Sequence, residues 1–291
     1  MNDQVLKTIT YFAQFSYPPT FEDIYTFLPR KITKKGLVAH LESLITQKKI
    51  VKSLNIVKKE ERSRHKSLER YTLGGYSMYF NTYQKRVVVS KNKLKKREWF
   101  VRIIAKISIV RFIGYSGSLA LLNGTQSDDI DIFVITATHR LYTTRFILTV
   151  LAFVFGVKRK RGVRSAPDSI CMNLFFEENV LKVPDIKRNE YVAHEILQMM
   201  PYDIKGDIYD RFIWANKWVF DFFPNMRDEY IRKGQKRPSI KSKPKNIIGN
   251  IVEQVLKQLQ IHFMRKHRTR EIITDTQLWF FPHDFESKVQ Y

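Results

Sequence analysis

The sequence predicts an α+β protein in three parts: a small module over residues 1–80, an α/β core over 81–188, and a helical region over 189–291. Three observations predict it. Apolar residues recur at helical spacing three times before residue 50, and two short β-prone runs follow. From Val110 to Phe176, short apolar runs alternate with helical segments, the pattern of an α/β layer. Beyond Asn189 helical periodicity returns, interrupted by a basic, Pro-containing linker over 232–245.

The first module reads as helix, helix, helix, hairpin. Val5, Ile9 and Phe12 line a first helix. Tyr17-Pro18-Pro19 breaks it, and Thr20 stands as an N-cap with Asp23 as its capping-box partner. Phe21, Ile24, Tyr25 and Leu28 line a second helix that ends at Pro29, and Leu37, Leu41, Leu44 and Ile45 line a third. Two short strands, Ile50 to Val57 and Arg70 to Leu73, flank a charged loop. That order is the one of a winged helix-turn-helix, and Leu68 to Leu73 resembles the second wing strand of such domains. The third helix would then be the recognition helix, with Lys34, Lys35 and His40 facing nucleic acid, and Arg62, Arg64 and Lys66 would track phosphates from the wing. Such modules also serve as protein contacts.

A basic connector, residues 81–107, leads through a helix carrying Trp99 and Ile103 to an apolar strand, Val110 to Tyr115. Gly117-Ser118 follows. Gly117 lets a backbone approach a phosphate closely, and Ser118 opens a short helix with its N–H groups free. The next strand carries Asp129-Ile130-Asp131. Side chains at i and i+2 of a strand share a face, so the two carboxylates point together while Ile130, Ile132 and Val134 face the core. Paired carboxylates suit Mg²⁺ or Mn²⁺, hard ions that also take phosphate oxygens. Phosphate cradle plus acidic pair makes a site for metal-assisted nucleotidyl transfer from a nucleoside triphosphate. Arg145, in the long helix begun by Thr138 to Arg145, is placed to reach substrate phosphates.

This run of strand, Gly-Ser, spacer and Asp-x-Asp strand resembles the signature of the DNA polymerase β-like nucleotidyltransferase superfamily. The resemblance implies the fold, a divalent metal at Asp129 and Asp131, triphosphate binding at Gly117 and Ser118, and a third carboxylate on a later strand. In the run Ser169 to Phe176 the position expected to be acidic is Asn173. An amide can ligate a cation through its carbonyl oxygen but cannot act as a general base. Asp168 and Glu177 are the nearby substitutes, each at a strand end. The element order as a whole resembles bacterial nucleotidyltransferase-domain proteins with an N-terminal winged helix.

Composition bounds the partners. Lys and Arg number 51 against 28 Asp and Glu, a formal charge of +23, which points to a polyanion, nucleic acid first and an anionic membrane surface second. The one cysteine, Cys171, lies in an apolar strand, so a disulfide within the chain is excluded and a structural zinc site is not expected. Met1-Asn2-Asp3-Gln4 has neither the charged nor the apolar region of a signal peptide, and the expected compartment is the cytoplasm. Phe146 to Val157 is apolar for about a dozen residues, short of the roughly 20 a spanning helix needs, and is expected to be buried against the sheet. In the last region Ala193-His194-Glu195 has no second histidine at i+4 and reads as structural. Phe212, Trp214, Trp218, Phe222 and Phe223 read as core, Ile251, Val255, Leu256 and Leu259 mark a helix, and Leu278 to Pro282 is expected to dock on the body.

Two functions follow as expectations. One is a Mg²⁺-dependent nucleotidyltransferase acting on RNA, protein or a small molecule. The other is a degenerate transferase core fused to a DNA-binding module, acting as a regulator or as a toxin–antitoxin or defence partner.

Overall fold

The computed structural model describes residues 1–54, 69–159, 166–232, 247–265 and 271–280. In chain order the helices and strands are α1 (Asn2–Ala13), α2 (Phe21–Thr26), α3 (Lys34–Thr46), β1 (Ile50–Leu54), β2 (Glu69–Leu73) and α4 (Met78–Ala105). Then come β3 (Val110–Tyr115), α5 (Gly117–Ala120), β4 (Ile130–Thr136), α6 (Leu141–Val154) and β5 (Ile170–Glu177). They are followed by α7 (Glu190–Gln198), β6 (Met200–Ile204), α8 (Ile208–Ala215), α9 (Val219–Phe222) and α10 (Pro224–Arg232). Last are α11 (Ile247–Arg265), β7 (Ile272–Ile273) and β8 (Gln277–Trp279). The protein is of the α+β class, and its chain divides into two compact units.

The first unit holds residues 1–88 and a second segment that starts at Lys217. Its helices begin where side chains can cap them. The Thr20 hydroxyl accepts the Asp23 N–H while Asp23 accepts the Thr20 N–H, the reciprocal pair expected from the sequence. Thr33 caps α3 through the Gly36 N–H. Val5, Ile9, Ile24, Leu28, Leu37, Leu41 and Leu44 form the core, closed by the antiparallel hairpin β1–β2.

The boundary expected at residue 80 lies instead at 88, and the segment from Lys217 joins this unit rather than a separate helical region. Asn225 explains the second difference. Its amide donates to the carbonyls of Tyr25 and Arg30 at 3.0 and 3.1 Å, and its Oδ1 accepts the Ile32 N–H at 3.0 Å. One of these groups, the Tyr25 carbonyl, belongs to the last turn of α2, and the other two lie in the connection to α3. Phe223 adds an edge-on contact to Phe27.

The second unit holds residues 89–216 and the described residues 247–280. Its sheet has six strands in the order β6-β3-β4-β5-β8-β7. β4 and β5 are parallel and every other neighbouring pair is antiparallel. Ile130, Ile132 and Val134 face one core with α4, α6 and α11. Phe133 faces the other way, in ring contact with Phe112, Phe176 and Phe212 of α8. Two parts of the sheet exceed the sequence reading. Met200–Ile204 is a strand beside β3, in the stretch where Pro201 and Gly206 were expected only to separate two helices, and the aromatic segment docks by pairing β8 with β5.

The stretch expected to be fully buried is not. Leu148, Ala152 and Val157 are buried, while Phe146, Val150, Phe153 and Val154 are exposed. Among the described residues no helix is long and apolar enough to cross a membrane.

Candidate metal centre

The centre is built where β3 turns back into β4. Gly117 follows Ser116 with φ +62°, and a Cβ at that position would lie 3.0 Å from Asp131 Oδ2. Only glycine fits both demands. The loop that returns to β4 is organised by Asp128, which accepts the Thr125 N–H at 2.9 Å, the Thr125 hydroxyl at 2.6 Å and the Ser118 hydroxyl at 3.0 Å. Lys93 holds the same loop from α4, donating to the carbonyls of Gln126 and Asp128 and to Asp168. Asp128 is therefore consumed by structure.

Asp129 precedes β4 and Asp131 is its second residue. They project from the sheet face opposite Ile130 and Ile132, as the alternation requires. The ligand atoms of Asp129, Asp131 and Cys171 all lie within 4.8 Å of one another, a group that could hold a metal ion. Cys171 stands beside Asp131 in the parallel register. Burial, with the charges of Asp129 and Glu195, pushes the Asp131 carboxyl up to about 7. Burial and the same two aspartates hold the Cys171 thiol above its ordinary range, so it is protonated at neutral pH.

Three more side chains complete the cluster. Asn173 Nδ2 donates to Asp131 Oδ1 at 2.9 Å, and its own Oδ1 is buried without a hydrogen-bond partner. A register shift brings it there: Ile132 pairs with Met172 and Phe133 with Leu174, leaving Asn173 as the extra residue of a bulge. The Arg159 guanidinium pairs with Asp129 at 2.5 Å and lies 3.9 Å from Cys171 Sγ. Glu195 of α7 accepts the Gly117 N–H at 3.3 Å, and burial raises its carboxyl.

The residues singled out from sequence thus divide. Gly117, Asp129, Asp131 and Asn173 come together, and Ser118 borders them with its hydroxyl committed to Asp128. Arg145 does not join them. It lies on α6, on the opposite face of the sheet, where it donates to Gln260 at 2.5 Å and stacks over Phe280. Neither substitute for Asn173 serves: Asp168 pairs with Lys93 and Lys96, and Glu177 lies at the other end of β5, by the N–H groups that open α6. In the first unit Lys35 is exposed, Lys34 pairs with Glu22, and His40 is turned inward to Asn2, 2.7 Å from its Oδ1. Arg62, Arg64 and Lys66 lie outside the described residues.

Arg159, Cys171 and Glu195 were not legible as site residues. Cys171 carried a signal, since it sits two positions before Asn173 on the strand expected beside Asp131. Glu195 carried none, because an isolated carboxylate on a helix looks the same whether it faces a site or water. Comparisons with protein-family models, with curated proteins and with solved structures found no match.

Proposed function

We propose that the protein is a Mg²⁺- or Mn²⁺-dependent nucleotidyltransferase of the DNA polymerase β-like kind, with a winged helix-turn-helix at its N-terminus. The observation that carries the reading is Asn173 held against Asp131 from the next strand, in the position where that superfamily has its third acid. Gly117 at the turn before the acidic strand, with its N–H toward the cluster, supports it. The donor set fits a hard cation. Two carboxylates and the unpartnered carbonyl oxygen of Asn173 are oxygen ligands, while the protonated Cys171 thiol offers little to a thiophilic metal.

In this reading Asp129, Asp131 and Asn173 would hold the divalent ion, and the ion would supply positive charge to stabilise the triphosphate's leaving group. Gly117 presents its N–H to a phosphate oxygen, displacing Glu195. An acceptor hydroxyl attacks the α-phosphorus, the bond to pyrophosphate breaks, and the hydroxyl proton passes to Glu195. Burial raises the Glu195 carboxyl above its ordinary value. Exposed Lys35 and the formal charge of +23 favour a nucleic acid as acceptor or guide. The test is incubation with α-phosphate-labelled nucleotides, Mg²⁺ or Mn²⁺ and total RNA. Label should move to RNA or protein with the wild type and not with Asp129→Ala/Asp131→Ala.

A second reading is favoured by the pairing of Arg159 with Asp129, which neutralises one of the two carboxylates from within the chain. In that reading the core is catalytically degenerate and the protein is a DNA-binding regulator. DNA affinity would then survive Asp129→Ala and no label would move.

A further inference from the structure

One helix of the second unit is inverted in polarity. α11 buries Glu253 and Gln260 against α6, where Glu253 accepts the N–H groups of Tyr142 and Thr143 and Gln260 meets Arg145. Its successive i, i+4 positions Ile247, Ile251, Val255, Leu259 and Phe263 are all exposed, Phe263 at 69%. A helix whose task is to cover a core shows the reverse pattern. Toward the body α11 buries Glu253 and Gln260 alongside Met264, while the apolar stripe is presented outward.

Other helices of the same layer expose apolar side chains too. α4, α6 and α11 pack on the same face of the sheet through one core. The C-terminal end of α6 exposes Phe153 at 74% and Val154 at 69%. Phe155 meets the ring of Trp99 edge-on at 5.3 Å, which joins α6 to α4. On α4, Trp99 and Ile103 are exposed, and Lys95 and Lys106 are exposed at spacings that put them on the same helical face, where Arg102 is paired with Glu98 at 2.7 Å.

We propose that this helical layer binds peripherally to an anionic lipid bilayer. Phe153, Val154 and the α11 stripe enter the boundary between headgroups and acyl chains. Trp99 lies at the interface, and Lys95 and Lys106 meet the lipid phosphates. The mixture of apolar and cationic side chains decides the occupant. Nucleic acid would pair with the cations and leave the apolar side chains unmatched. A second copy would cover the apolar face without drawing on the lysines of α4. An anionic bilayer satisfies both parts. Because Asp129 and Asp131 project from the opposite face of the sheet, the acidic centre would point away from the lipid.

The experiment is flotation of the full-length protein with vesicles of phosphatidylcholine, alone or mixed with phosphatidylglycerol. Phe153→Asp/Val154→Asp and Lys95→Glu/Lys106→Glu accompany the wild type, with circular dichroism to show that they fold. The wild type should float with the anionic vesicles, and each double variant should bind about tenfold less. Absence of flotation at low salt would overturn the proposal. So would undiminished binding by the Phe153/Val154 variant, which would reduce the interaction to charge alone. A wild-type dimer in light scattering that Leu259→Asp dissociates, without flotation, would assign the face to a second copy instead.

Discussion

Asn173 donates its amide to Asp131 at 2.9 Å, so a neutral group holds one of the two aspartates. A carboxylate in its place would change the balance in both directions. Asn173→Asp puts a third negative charge beside Asp129 and Asp131 and removes the donor. Without metal the variant should lose roughly 1–3 kcal/mol, one to two pKa units of charge repulsion. With Mn²⁺ the added ligand should raise affinity about tenfold or more, read by calorimetry. Unchanged affinity would mean that residue 173 does not face the ion.

The carboxyl groups of Asp131 and Glu177, each pushed up to about 7 by burial, give the metal-free protein an unusual pH dependence. In the unfolded chain both titrate near 4. Between about pH 4 and pH 7 the native state therefore binds more protons than the unfolded state, and stability falls as pH rises. Thermal unfolding in chelator should occur at a higher temperature at pH 5.5 than at pH 8. Asp131→Asn should flatten that slope. Added Mn²⁺ should do the opposite, stabilising more at pH 8 than at pH 5.5, because only the ionised carboxylate ligates it.

Gly117 is bound twice, by a φ of +62° and by the 3.0 Å that separates a would-be Cβ from Asp131 Oδ2. Gly117→Ala should cost about 1–2 kcal/mol in backbone strain. It should also push Asp131 aside and weaken Mn²⁺ binding well beyond what that strain explains. Gly75 offers the control, since it has φ +87° with nothing within 4 Å of a Cβ. Its alanine variant should show the strain without the loss of metal.

What could be read in advance followed local chemistry. The capping pair Thr20–Asp23, the period-two alternation around Asp129 and Asp131 and the apolar stripes of α1 to α3 depend only on near neighbours in the chain. Asn225 capping α2 across 200 residues of sequence does not. Arg145 shows the limit most clearly: a basic residue soon after the acidic strand is close in sequence, yet the sheet lies between it and the carboxylates. The inverted helix α11 misleads for a related reason. Its periodicity states that one face is apolar, and the chain alone cannot state which face the body takes.

The N-terminus of α6 has no capping side chain of its own, since Arg140 at the N-cap makes no cap bond. Glu253 supplies it from α11, accepting Tyr142 N–H at 2.7 Å, Thr143 N–H at 2.9 Å and the Thr143 hydroxyl at 2.6 Å. Three donors lose their acceptor in Glu253→Ala, and a carboxylate at a helix N-terminus is also favoured by the helix dipole. The expected loss is roughly 2–3 kcal/mol in denaturant unfolding. Glu253→Gln keeps one acceptor oxygen and should recover part of it.

Arg70 gives the first unit its sharpest test, because it is a guanidinium that is only 8% exposed. It donates to the Pro18 carbonyl at 2.7 Å and to the Tyr83 hydroxyl at 2.9 Å, and lies 3.9 Å from the centre of the Tyr83 ring. The planar fork makes these contacts together, which an ammonium cannot reproduce. Arg70→Lys should therefore behave as a disruptive change, losing roughly 2–4 kcal/mol from a buried charge left with poorer partners. Arg70→Met removes the charge as well as the hydrogen bonds. If desolvation dominates the cost of this site, the methionine variant should be the more stable of the two. The opposite order in parallel unfolding measurements would show that the two hydrogen bonds outweigh the buried charge.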